Sequence, residues 1–100
     1  MPPITLPRFS LGKLVATPAA LETLQRFNVT AEKFLRRHLI GDWSEMSEFD
    51  QEQNEDALRL IDGLPNGRVF SSYKLNDTED IWIITEHDRS STCILLPSEY

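Results

Sequence analysis

Four side chains in this sequence have types suited to acid–base work on a phosphate: His38, Tyr73, Thr85 and Arg89. Histidine and tyrosine can carry a proton to or from a reacting group, and arginine can hold charge that develops on phosphoryl oxygens. A small, toxin-like, metal-independent ribonuclease needs that combination. The four are far apart in the chain, so they meet only if the element carrying His38 crosses a sheet built from the C-terminal third. The net charge of −6 stands against this reading, because RNA-cleaving enzymes are usually basic. A single histidine on the apolar side of a helix also serves as a hydrogen-bonded core residue. There is no phosphate-binding glycine loop, nucleophile elbow, dinucleotide fingerprint or HExxH pair. Cys93 is the only cysteine, and no Cys/His spacing suits zinc, so no metal, cofactor or internal disulfide is expected.

A second kind of chemistry is charge. Residues 41–62 hold eight acidic side chains against Arg59 alone, whereas residues 1–40 hold six basic and two acidic ones. Asp42, Glu45, Glu48, Glu52 and Glu55 form the candidate partner-binding set, with Asp88 and Arg89 in a later turn. Such a set suits a basic protein partner. The charge balance argues against direct nucleic-acid binding, which needs a positive footprint.

The elements that must position these groups follow from local signals. One hundred residues make one domain. No apolar run approaches the length of a membrane span, the N-terminus lacks a signal-peptide pattern, and the lone cysteine fits a reducing cytoplasm. Residues 1–10 contain three prolines and read as an extended arm before a domain at 11–100. Thr17-Pro18 and Thr30 are helix starts, and Gly41 is a helix stop. Ser47 with Asp50 resembles a capping box for a third helix over 47–61. Its apolar face is thin, which suits solvation, a basic partner or a homodimer. Residues 63–67 read as a loop. Alternation predicts a strand over 68–75, and the run Ile81-Trp82-Ile83-Ile84 predicts a central strand. Ile94, Leu95 and Leu96 predict another, ended by Pro97. The expected fold is α+β: about three N-terminal helices on a C-terminal three-stranded antiparallel meander, with 11–16 as a possible edge strand. The expected core includes Leu14, Leu21, Leu24, Phe27, Phe34, Leu35, Trp43, Leu58, Ile61, Val69, Tyr73, Ile81, Ile83, Ile84, Ile94 and Leu96.

Several strings also carry a family resemblance: His38…Gly41-Asp42-Trp43, Asp50…Asn54, Ser71-Ser72-Tyr73, Trp82-Ile83-Ile84-Thr85-Glu86…Asp88-Arg89-Ser90…Thr92 and Leu96-Pro97…Tyr100. Together they resemble small "plasmid-related" hypothetical proteins of bacterial plasmids and prophages. The resemblance implies a mobile-element setting and no particular chemistry. In that setting the acidic run suggests a non-enzymatic interaction protein, such as an inhibitor of a host defence or nucleic-acid-binding complex of the anti-restriction or anti-CRISPR kind.

Overall fold

The computed structural model describes residues 6–100. Residues 1–5, half of the proline-rich arm, lie outside the described residues. In chain order the elements are β1 (Lys13–Ala16), α1 (Pro18–Arg26), α2 (Ala31–Ile40), α3 (Glu48–Leu58), β2 (Leu60–Ile61), β3 (Leu64–Pro65), β4 (Val69–Lys74), β5 (Asp80–Thr85) and β6 (Ser91–Leu95), followed by a 3-10 turn at Pro97–Glu99.

The helix boundaries obey their capping residues. Thr17 Oγ1 accepts the N–H of Ala20 at 3.0 Å, and Ser47 Oγ accepts that of Asp50 at 3.1 Å. Each satisfies a helix N–H that has no partner inside the helix. Both α1 and α2 end on a left-handed residue, Asn28 (φ 54°) and Gly41 (φ 79°). The next residue's N–H then folds back: Val29 onto Leu24 O at 3.1 Å, and Asp42 onto Arg37 O at 2.9 Å. Both are Schellman closures, which favour glycine or asparagine.

The fold is α+β, but the expected three-stranded meander is corrected. β4, β5 and β6 do pair antiparallel, and β1 then joins β6 in parallel, giving a mixed four-stranded sheet of order β1-β6-β5-β4. β2 and β3 form a separate two-stranded ribbon where a loop was expected. The parallel join is clamped at Gly12 (φ +62°), where a Cβ would stand 2.4 Å from the carbonyl oxygens of Arg89 and Ser90. Only glycine lets the backbone pass that close.

Strand alternation sorts the sheet into two faces. On one, the register aligns Val69 with Thr85 and Thr92, Ser71 with Ile83 and Ile94, and Tyr73 with Ile81. All eight are buried beneath the helices. Ala20 and Leu24 of α1 and Phe34 of α2 complete this core, while Trp43, Ala57 and Val69 form a second cluster beside it. The other face aligns Phe70, Ile84, Cys93 and Val15 in one row and Ser72, Trp82 and Leu95 in the next. Phe70, Trp82 and Cys93 remain partly exposed there.

Of the expected core, Leu24, Phe34, Trp43, Val69, Tyr73, Ile81, Ile83, Ile84 and Ile94 are buried. Leu14, Leu21 and Ile61 are exposed, and Phe27, Leu35, Leu58 and Leu96 are half-buried. Leu14 is at the sheet edge and Ile61 in the ribbon, where packing partners are few. The third helix stops at Leu58 rather than Ile61, and its core-facing residues are Asn54 and Ala57.

Asn54 has an unusual task. Its amide donates to Phe70 O at 2.6 Å and accepts from Phe70 N at 2.9 Å. One side chain thus imitates a neighbouring strand along the outer side of β4. Glu45 supplies only the acceptor half of this farther along, taking the N–H of Lys74 at 3.0 Å. An edge strand with unpaired backbone groups is a template for unwanted pairing, and these side chains occupy part of it.

Candidate functional site

His38 sits on the inward side of α2 and is fully buried. Its Nδ1 lies 2.5 Å from Ser71 Oγ on β4, and its Nε2 lies 2.9 Å from Thr85 Oγ1 on β5. Thr85 Oγ1 is 2.7 Å from Thr92 Oγ1 on β6, and Thr92 donates to the carbonyl of Leu11 at 2.8 Å. At the other end Trp43 Nε1 donates to Ser71 Oγ at 2.9 Å. Phe9 closes over the imidazole edge-on, with ring centroids 5.1 Å apart.

The ends of this chain set its direction. A carbonyl only accepts, so the Thr92 hydroxyl hydrogen goes to Leu11 and Thr92 must accept from Thr85. Thr85 then accepts from His38, which places the imidazole hydrogen on Nε2. Nδ1 accepts from Ser71, whose oxygen in turn accepts the indole N–H of Trp43. Every donor in the series has one acceptor. A second proton on His38 would meet the Ser71 hydroxyl hydrogen and break the order. Burial, and next the positive charge of Arg89, push the His38 pKa down to about 3.

This geometry brings two of the four candidate catalytic residues, His38 and Thr85, into direct contact and leaves neither exposed. Tyr73 is on the same sheet face but in another row, stacked on Phe34 with centroids 5.6 Å apart and covered by the Arg37 guanidinium at 4.4 Å. Burial pushes its phenol up to about 12. Its hydroxyl has no hydrogen-bond partner among the described residues. Ser71 lies close enough to damp the rise in pKa without meeting hydrogen-bond geometry. A general acid or base must reach its substrate and titrate near working pH. As placed, His38 does neither, and its polar chain ties α2 and the segment before β1 to three strands.

Arg89 is also committed to the fold. Its guanidinium donates to three carbonyl oxygens: Gly67 at 2.6 Å, Ala57 at 2.7 Å and Glu86 at 3.0 Å. It joins the end of α3, the loop before β4 and its own turn. Asp88 in that turn accepts the N–H of Ser90 at 3.0 Å; the Ser90 hydroxyl, and next this N–H, hold its carboxyl below the usual range.

The acidic set divides in two. Asp42 accepts from Arg37 Nε at 2.7 Å, and Glu45 lies 3.4 Å from the same guanidinium. Glu55 takes both terminal nitrogens of Arg8, at 2.9 and 2.7 Å. The hydrogen bonds from Arg37 and Arg8 hold Asp42 and Glu55 below the usual carboxylate range. Glu48 and Glu52 make no ion pair among the described residues and stand on the solvent side of α3, opposite Asn54 and Ala57.

Comparison with protein-family models, curated proteins and solved structures found no match.

Among the described residues no three His, Cys, Asp or Glu side chains are grouped to hold one metal ion, and no helix is long and apolar enough to cross a membrane. Sequence reasoning missed Ser71 as a partner of His38 and Thr92 as the next hydroxyl beyond Thr85, and it missed the exposed β2–β3 ribbon. Strand parity held a signal for the first. Ser71 lies between inward-facing Val69 and Tyr73, and a buried hydroxyl needs a partner from the covering helices.

Proposed function

We propose that this chain is a non-catalytic interaction protein that engages a basic protein partner through α3 and the β2–β3 ribbon. The observation that carries this reading is the exposure of the ribbon. Leu60, Ile61 and Leu64 are 67%, 56% and 68% exposed, and Phe49 near the start of α3 is 68% exposed. The ribbon is anchored to the end of α3, since Asn66 donates to Asp56 O and Ala57 O, both at 3.2 Å. Large apolar side chains presented beside charged ones mark interaction surfaces.

Magnitudes assign the roles. Covering the exposed part of each ribbon leucine or isoleucine contributes about 1–2 kcal/mol, whereas an exposed ion pair contributes about 0–1 kcal/mol. The ribbon therefore supplies affinity, and Glu48 and Glu52 supply steering and selectivity. The partner we favour is a nucleic-acid-binding complex, whose Lys and Arg surface complements the acids. The resemblance to proteins of bacterial mobile elements supports a cytoplasmic target in host defence.

The test is affinity capture from a bacterial lysate with three baits: the unaltered protein, Glu48→Gln with Glu52→Gln, and Leu60→Ser with Leu64→Ser. Glu45 and Glu55 are left intact because they hold the fold. A stoichiometric partner that the ribbon variant loses, and that added single-stranded or duplex oligonucleotide displaces, is the expected result. Equal capture by all three baits overturns the reading.

A further inference from the structure

The sheet face turned away from α1 and α2 carries a cavity of about 350 Å³ lined by Arg68, Phe70, Trp82, Ile84 and Tyr100. Phe70, Trp82 and Ile84 come from neighbouring positions of β4 and β5, with Phe70 opposite Ile84 in the register. Tyr100 is brought over them by the 3-10 turn. Glu99 fastens that turn, accepting from Leu96 N at 2.9 Å and from Thr17 Oγ1 at 2.7 Å. Phe70 and Trp82 meet edge to face with centroids 4.9 Å apart, and Trp82 meets Tyr100 at 5.7 Å. Arg68 stands at the rim. Its Nη2 donates to Tyr100 Oη at 2.9 Å, and its Nη1 is only loosely paired with Glu86 at 3.9 Å.

We propose that this cavity binds a small planar aromatic anion, with the ring among Phe70, Trp82 and Tyr100 and the acid group on Arg68. The walls are aromatic and aliphatic, which suits a flat ring. The cavity is at the small end of ligand-site volumes, which suits one ring system rather than a polymer. The cation decides the sign of the ligand. A guanidinium already bound to a phenol oxygen keeps free N–H donors and repels an ammonium. Its hold on Glu86 is long enough for a carboxylate or phosphate to displace, and a charge-assisted pair at shorter range is the stronger one. The site is separate from α3 and the ribbon, so it stands or falls apart from the partner-binding reading.

The two tryptophans give the experiment an internal control. The Trp43 indole N–H is buried against Ser71, while Trp82 lines the cavity. Indole-3-carboxylate and adenosine 5′-monophosphate are titrated separately into isotope-labelled protein, and the two indole N–H resonances are followed. The expected result is a saturating shift of the Trp82 signal with one or both probes and a still Trp43 signal. Which probe binds tells an aromatic acid from a nucleotide. Arg68→Met should weaken binding about tenfold. Glu86→Gln, which removes the competing carboxylate, should tighten it several-fold. If Trp82 does not shift with either probe, or if affinity is the same in the Arg68→Met variant, the proposal is overturned.

Discussion

Thr92 gives its hydroxyl hydrogen to the carbonyl oxygen of Leu11, 81 positions earlier, at 2.8 Å. That one bond orients every hydroxyl between it and Trp43 and leaves His38 a single tautomer. It also joins the segment just before β1 to the middle of the sheet. The centre of the molecule is therefore a polar thread running through an apolar core, and its worth lies in being fully satisfied.

The first prediction concerns pH. His38 titrates near its ordinary value of 6.5 when unfolded and at about 3 when folded. Between those values the unfolded chain binds more protons, so stability rises with pH across the window. The contribution is fully present above about pH 6.5 and is lost as pH falls towards 3. Denaturant unfolding at pH 7 and pH 5 should differ by about 2 kcal/mol from this group alone. In His38→Gln that part of the difference should vanish. Nitrogen NMR of the unaltered protein at pH 6 should show a neutral Nε2–H imidazole. A histidine that charges in the folded state at pH 6 would disprove the assignment.

Arg89 yields a comparison of substitutions. It adopts φ 61° and spends two guanidinium nitrogens on three carbonyls. Arg89→Ala loses those bonds and keeps the left-handed strain, for a cost of about 3 kcal/mol. Arg89→Gly loses the same bonds but relieves roughly 1 kcal/mol of that strain. Thermal unfolding should rank the unaltered protein above the glycine variant, and the glycine variant above the alanine one. If alanine matches arginine, the clasp contributes nothing.

A third expectation follows from the edge of the sheet. Asn54→Ala leaves the N–H and C=O of Phe70 without side-chain partners. Each unsatisfied buried group costs about 1–3 kcal/mol, and the opened strand gains a way to pair with a copy. The variant should unfold earlier and show concentration-dependent association by light scattering. Asn54→Asp keeps the acceptor and loses the donor to Phe70 O, so it should fall between the two. An Asn54→Ala protein as stable and monomeric as the original would show that α3 covers the edge by packing alone.

The parts of this fold that the sequence announces are those with local chemistry. Thr17-Pro18, Ser47 and Gly41 set helix ends through atoms a few positions away. Alternation in 69–74 and the apolar run at 81–84 mark strands for the same reason. β1 is different: its four residues pair in parallel with a strand 78 positions later, and no turn signal announces such a pairing. The ribbon hides because Gly63 and Pro65 read as a loop. His38, Tyr73, Thr85 and Arg89 stand out by type, and type does not reveal what a side chain is already bonded to. Asp42 and Glu55 look free in sequence because Arg37 reaches Asp42 only through the turn at Gly41 and Arg8 reaches Glu55 across 47 positions. Glu48 and Glu52 are distinguished from them only by the fold.

The most direct test of partner binding is kinetic. Once a partner is captured, association and dissociation rates should be measured against ionic strength for the unaltered protein and the two surface variants. Glu48→Gln with Glu52→Gln should slow association about tenfold at low salt and leave dissociation nearly unchanged. Leu60→Ser with Leu64→Ser should speed dissociation at least tenfold and leave association alone. Rates that neither variant alters, on a complex that still forms, would place the interface elsewhere on the molecule and contradict the account.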